Sequence, residues 1–256
     1  MTEERRQLIL RWILKEGSIT LKELEKRLNI SLMTIRRDLN VLEKQHRIKR
    51  VRGGAIKNNN NIHFLEMQSS DRKKIHHVEK TLISKYAVEH FVKENDIIVL
   101  EGGTTVSSMV YNLTIPNLKI ITNGLNVINY ATNYLENNDI VCCGGLFFEK
   151  EFTFVGPQAE VFFSEFRAHK CFFGADGLTI EDGATVFNVS EIGVKRAMLR
   201  CAKQRILLID SSKLGLSSLV LAVPLKDIDI IVTDSNAPQV FLNDLQSQNI
   251  EVHIAK

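Results

Sequence analysis

Two groups of residues in this 256-residue chain could do chemistry. The first is compact: Ser31, Met33, Thr34, Arg36, Arg37 and Asn40 lie close together, and Arg50 and Arg52 follow beside Gly53-Gly54. Guanidinium groups make bidentate contacts with guanine edges and contacts with phosphates, so this group suits double-stranded DNA. The second is scattered: Glu101-Gly102-Gly103-Thr104-Thr105, Asn123, Gly144, Asp176, Glu191, Lys195 and Lys213. Glycines let backbone N–H groups approach a phosphate, a helix N-terminus and Thr hydroxyls favour it further, and Lys213 supplies countercharge. Asp176 and Asn123 suit sugar hydroxyls. Glu191 and Lys195 stand four residues apart, which is also the spacing of a helix-surface ion pair. Together the second group suits an anion that carries hydroxyls.

The first group needs a scaffold, and the surrounding pattern provides one. Leu8, Ile9, Trp12 and Ile13 predict a helix over 3–15, ended by Gly17. Thr20-Leu-Lys-Glu23 fits a capping box opening a short helix with Leu21, Leu24 and Leu28 inward. Asn29-Ile30 makes a tight turn, and Ser31 caps a third helix running to about Glu43. Ile35, Leu39 and Leu42 turn inward on it, which leaves the polar set outward, as a recognition helix requires. Ile48, Val51 and Ile56 alternate around Gly53-Gly54, a hairpin whose Lys49, Arg50 and Arg52 form a basic wing. Residues 1–57 therefore read as a winged helix-turn-helix. They hold 15 Lys/Arg against 7 Asp/Glu in a chain of net charge +3, so residues 58–256 carry −5. A basic head on an acidic body localises attraction for a polyanion at one end.

Residues 58–78 read as a linker: polar and low in complexity at 57–61, then carrying Arg72, Lys73, Lys74, His76 and His77 with few apolar anchors. From residue 79 onward a helix over 79–93 precedes short apolar runs that each stop at small polar residues. These runs, around 97–100, 118–121, 140–143, 171–173, 206–209 and 230–232, alternate with helix-like segments such as 105–112, 126–135, 190–202 and 237–246. Strand and helix in alternation predict an α/β fold with a mainly parallel sheet. Ligands of such sheets bind beyond the carboxyl ends of the strands, where all of these polar clusters fall.

Composition excludes several classes. No run approaches the roughly 18 apolar residues of a membrane span, and no signal-peptide core follows Met1, so a cytoplasmic protein is expected. Cys142, Cys143, Cys171 and Cys201 form no C-x-x-C and have no His at ligand spacing; reduced, packed thiols and neither metal nor cofactor are expected.

The segment Ser31-Leu-Met-Thr-Ile-Arg-Arg-Asp-Leu39, followed by Arg50-Val-Arg-Gly-Gly-Ala55, resembles the DeoR family of sugar-responsive regulators, whose signatures are the T-I-R-R-D-L helix and the R-x-x-G-G-A wing. Leu100-Glu-Gly-Gly-Thr-Thr105, Thr122-Asn-Gly-Leu-Asn126, Phe154-Val-Gly-Pro157, Phe173-Gly-Ala-Asp-Gly177 and Asp210-Ser-Ser-Lys213 extend the resemblance over nearly the whole chain. One departure is Glu101, where many members carry Asp or a small residue. The resemblance implies a body similar to ribose-5-phosphate isomerase, a phosphorylated sugar as effector, and a repressor acting as a homo-oligomer, dimer or tetramer, on repeated or palindromic operators. Two rival readings are a phosphosugar isomerase or deaminase with a DNA-binding head, and a body that only oligomerises. The isomerases resemble this chain at Gly174-Ala-Asp176 and around Lys213 but continue with acidic residues and a glycine-rich catalytic run. Here Asp176 is followed by Gly177-Leu178-Thr179-Ile180 and no such run appears, so a regulator is expected.

Overall fold

The computed structural model describes residues 2–44, 48–57 and 69–256. The chain divides into two compact units, one made mainly of the first 66 residues and the other of most of the remainder. The low-complexity stretch 58–61, and the linker as far as residue 68, lie outside the described residues.

The first unit runs α1 (Thr2–Glu16), β1 (Ser18–Thr20), α2 (Leu21–Leu28), α3 (Leu32–Lys44), β2 (Ile48–Val51) and β3 (Gly54–Lys57). The capping box forms as expected: Thr20 Oγ1 accepts from Glu23 N at 3.2 Å while Glu23 Oε2 accepts from Thr20 N at 2.8 Å. Asn29 ends α2 in the left-handed region, φ +52°, where Asn is tolerated better than most residues. Ile9, Ile13, Leu24, Ile35, Leu39 and Leu42 are fully buried together. Leu8 is exposed, and Leu10 takes the inward place expected for it. The wing is a three-stranded sheet in the order β1-β3-β2, one strand more than expected. Gly53 turns the hairpin at φ +95°. A Cβ on Gly54 would collide with the Ile19 carbonyl, so this glycine is what lets β1 pair with β3.

The second unit begins with α4 (Ser69–Arg72), α5 (His77–Phe91), β4 (Ile97–Leu100) and α6 (Thr104–Ser107), which continues as a 3-10 turn over Ser108–Asn112. Then come β5 (Lys119–Thr122), α7 (Leu125–Tyr134), β6 (Asp139–Cys142), β7 (Leu146–Phe148), β8 (Thr153–Val155) and α8 (Pro157–Ser164). The chain continues through β9 (Ala168–Phe173), β10 (Gly177–Thr179), β11 (Gly183–Val186), α9 (Glu191–Cys201) and β12 (Ala202–Leu208). It closes with β13 (Val220–Val223), β14 (Ile230–Asp234), α10 (Gln239–Ser247) and β15 (Glu251–Ala255).

Seven strands, in the order β15-β14-β12-β9-β4-β5-β6, form one parallel sheet. Alternation along each strand feeds two cores, since successive side chains leave opposite faces. Ile98, Leu100, Phe172, Ile206 and Leu208 join α5, α6 and α7 on one face. Val99, Cys171, Phe173 and Leu207 join α8, α9 and α10 on the other. Two further pieces break the alternation of strand and helix: the β7-β8 hairpin, and a small antiparallel sheet β10-β11-β13. The four thiols are free, but Cys142 is only half-buried, because β6 is the edge of the sheet. Among the described residues, no helix is long and apolar enough to cross a membrane.

Part of the expected linker belongs to this unit. Ser69 is buried, its N–H donates to Lys150 O at 2.9 Å, and α5 begins at His77 rather than at 79.

Candidate functional site

On the first unit, α3 holds the expected face outward. Arg36, Arg37 and Asn40 are exposed, Met33 is 80% exposed, and Arg52 projects from the wing. Ser31 Oγ lies 3.0 Å from Thr34 Oγ1, so these two hydroxyls hold each other at the helix start. Asn40 and Arg50 are also paired: Arg50 Nη1 donates to Asn40 Oδ1, and Arg50 N donates to Glu43 Oε1 at 2.9 Å. The pair braces the helix against the wing and fixes the distance between their exposed surfaces.

The sequence reading missed Asp38. It is 1% exposed and accepts from Arg5 Nε at 2.6 Å and Arg6 Nε at 3.0 Å. The aspartate of T-I-R-R-D-L is thus an anchor that ties α1 to α3, and the two arginines before it face solvent. The signal was available, because position 38 falls on the inward stripe of 35, 39 and 42. Asp38→Asn is expected to destabilise the first unit by about 2 kcal/mol, below a fully buried pair because Arg5 and Arg6 keep partial solvation. Chemical denaturation of the full chain checks this, with the second unit's transition unmoved.

On the second unit, the carboxyl ends of β4, β5, β9 and β12 converge on one pocket of about 50 Å3. It is lined by Glu101, Gly102, Gly103, Thr104, Thr105, Asn123, Asp176, Glu191, Lys195 and Lys213. Gly144 is not among the lining residues; it follows the edge strand β6 and faces open space. Gly174 and Ala175, from the strand-end cluster around Asp176, also line it; Arg72, Glu151, Thr153, Val186 and Val194 complete the lining and were not read from sequence.

Several expected roles change. Lys195 is 2% exposed and pairs with Glu101 rather than with Glu191 as a surface pair. Its Nζ also donates to Gly174 O at 2.8 Å, while Glu101 Oε2 accepts from Gly174 N at 2.6 Å. Asn123 Oδ1 accepts from Gly102 N at 3.0 Å and its Nδ2 donates to Phe154 O at 3.2 Å, so this amide braces the loop. Gly102 is required by packing, since a Cβ there would collide with Thr153 and lie 2.8 Å from Gly124 Cα. Lys213 Nζ donates to Ala175 O at 2.7 Å on the pocket rim.

Arg72, from α4, enters the pocket between Glu151 and Asp176; its Nη2 contacts Glu151 and its Nη1 lies 3.2 Å from Asp176 Oδ1. Lys80 Nζ holds the Arg72 carbonyl at 2.6 Å. Burial, then the charges of Lys213 and Arg72, pull Lys195 down to about 7. Burial, then Lys213, does the same to Lys80. Burial, then the neighbouring Asp176, pushes the Glu191 carboxyl up to about 7. Behind the pocket Asp210 stays low: burial would raise it, but Lys213, Ser212 and Lys80 outweigh that. The arrangement is a polar cavity whose walls carry both cations and carboxylates, several of them paired, suited to a ligand with both an anionic group and donors. Among the described residues, no cluster of His, Cys, Asp and Glu could hold a metal ion.

Comparison with known proteins bears on both units. Residues 5–61 match the DeoR-like helix-turn-helix domain and residues 75–235 match the DeoR C terminal sensor domain. The chain is 31% identical over 255 residues to an HTH-type transcriptional regulator of Bacillus subtilis, YulB, covering 98% of this chain and 96% of that one. It is 31% identical over 230 residues to a lactose phosphotransferase system repressor of Staphylococcus epidermidis, covering 89% and 90%. Among solved structures, ribose 5-phosphate isomerase from Plasmodium falciparum overlaps 53% of this chain and 52% of its own, with TM-score 0.39 and 14% identity.

Proposed function

Since this chain belongs to the DeoR family of DNA-binding transcriptional regulators, we propose that it represses a sugar-utilisation operon and that a phosphorylated sugar in its pocket switches it. The regulator reading replaces the isomerase or deaminase reading weighed from sequence. Residues 1–57 bind operator DNA through Arg36, Arg37, Thr34 and Met33 on α3 and through Arg52 on the wing, with Ser31, Asn40 and Arg50 setting the geometry. The body senses the effector and makes the homo-oligomer, which acts in the cytoplasm.

The observation that carries the sensing role is the convergence of four strand-end loops on one polar pocket with Lys213, Lys195 and Arg72 in its walls. The phosphate sits at Gly103-Thr104-Thr105, where first-turn amides lack intrahelical partners, and Lys213 supplies countercharge. Sugar hydroxyls donate to Asp176 and Glu151. An effector switches the protein only if it binds two arrangements of the oligomer unequally. One of them spaces two recognition helices by a turn of DNA or a multiple.

Calorimetry of the full chain against pentose and hexose phosphates tests the reading. One of them should bind, lose its affinity in Lys213→Met, and change operator affinity at fixed salt. A flat series leaves the body an oligomerisation domain, and a ligand that binds without moving operator affinity sinks the switch. Arg36→Ala and Arg37→Ala should each weaken operator binding by about 1–3 kcal/mol while effector binding is retained. Wild-type operator affinity in both variants would refute the assignment of the recognition face.

The raised carboxyl of Glu191 gives a pH dependence with a definite sign. It is neutral below about 7 and charged above, so it repels an anionic ligand more as pH rises through that value. Effector affinity should therefore fall with rising pH, although the ligand's own phosphate is then fully ionised. Glu191→Gln should flatten the fall in a calorimetric pH series; an unchanged slope would remove Glu191 from the site.

A further inference from the structure

The pocket is smaller than the ligand just assigned to it. At about 50 Å3 it holds a few waters, each of which needs roughly 10–15 Å3. Pockets that enclose a small-molecule ligand run to roughly 300–1,000 Å3. The Arg72 side chain stands in its wall, its Nη groups held by Glu151 and Asp176 and its Nε buried without a partner.

The segment that delivers Arg72 is fastened at its next residue. Lys73 Nζ donates to Tyr111 Oη at 3.0 Å and to Tyr130 Oη at 2.9 Å. The ammonium also lies 5.1 Å and 4.5 Å from the centroids of these two rings, within the range of a cation–π contact. The rings are 4.7 Å apart, and Tyr134 closes on Tyr111 edge-on at 4.9 Å. Tyr111 lies in the 3-10 turn that continues α6 from the Gly102–Thr105 loop, and Tyr130 lies on α7, which follows the Asn123 loop. The clasp thus joins the two helical segments that follow the pocket loops at Gly102–Thr105 and Asn123.

We propose that residues 69–76 form a strap over the pocket, with Arg72 as its plug and the Lys73–Tyr111–Tyr130 clasp as its latch, and that a sugar phosphate enters only when the latch opens. The ligand class rests on the function proposed above; the strap itself does not. The exchange balances chemically. Lys73 trades its tyrosine partners for water, because the clasp is only partly buried. Glu151 and Asp176, deprived of the guanidinium, accept instead from sugar hydroxyls, while Lys213 keeps the phosphate. Local opening of this kind costs less than global unfolding, since it breaks only the polar contacts of Arg72 and Lys73 and the Lys80 bond to the Arg72 carbonyl.

The test measures opening without any ligand. In the full chain, Thr105→Cys puts a thiol on the pocket wall, at a position 5% exposed. Its alkylation by a maleimide is followed by peptide mapping, with Cys142 on the sheet edge as internal reference. Arg72→Ala and Lys73→Met, each added to Thr105→Cys, should speed labelling at least tenfold, Tyr130→Phe should speed it less, and Lys74→Met should not change it. Acceleration by Arg72→Ala alone would overturn the latch, and no acceleration by either would overturn the plug. Should Thr105→Cys fold poorly, amide hydrogen exchange on the Lys73→Met chain decides. Loss of protection confined to Lys73, Lys74 and Ile75, whose N–H groups bond within the strap, supports the proposal, and unchanged protection overturns it. Failure here leaves the phosphosugar reading to calorimetry, and a flat calorimetric series leaves the labelling result standing.

Discussion

A carboxylate and an ammonium taken out of water together hold the pocket in shape. Glu101 leaves the end of β4 and Lys195 comes from α9; they meet beneath the pocket, and both grip the peptide of Gly174 at the end of β9. Neither charge could be buried alone, because each would have to exchange hydration for an apolar wall. Paired, with the Gly174 N–H and carbonyl as further partners, they fix two adjacent strand ends and a helix in one geometry. The loops that line the pocket are built outward from that point: Gly102 rests against Thr153 and Gly124, and Asn123 ties the loop after β5 to Gly102 and Phe154.

Around that anchor the site is a contest between charges. Arg72, Lys195 and Lys213 share a small volume with Glu101, Glu151, Asp176 and Glu191. Where every acid has a cation the energies are settled, as for Glu101. Where burial and a like charge act together, as for Glu191 beside Asp176, the carboxyl is driven toward its neutral form. A pocket so balanced responds strongly to an incoming charge, which suits a sensor better than a storage site.

The head uses the same device for a different end. Asp38 is sealed between two arginines of α1, which makes the docking of the first helix on the third an electrostatic contact as well as an apolar one. The brace between Asn40 and Arg50 then ties α3 to its wing. The exposed guanidiniums of Arg36 and Arg37 stand on a face whose orientation is set by buried charges behind it.

Periodicity alone determined most of the architecture: the helices of the head, six strands of the parallel sheet and the helices between them, α8 excepted, lie within a few residues of where apolar spacing puts them. That works because each such element buries one face, and burial imposes its own period on the chain. The polar clusters at strand ends were legible for the same reason, since a parallel sheet sends all those ends to one side. What escaped were pieces whose partners are distant. β1 is three residues long and exists because Gly54 admits it; β15 alternates charged and apolar residues and is held by β14 at the sheet edge. Arg72 read as linker and Glu151 drew no reading, yet each is a wall of the pocket; Glu191 and Lys195 read as a pair, yet Lys195 belongs to Glu101. Sequence spacing fixes which residues share a face. Only the tertiary structure decides which charge meets which, because a buried ion pair is chosen by proximity in space and by the absence of water around it.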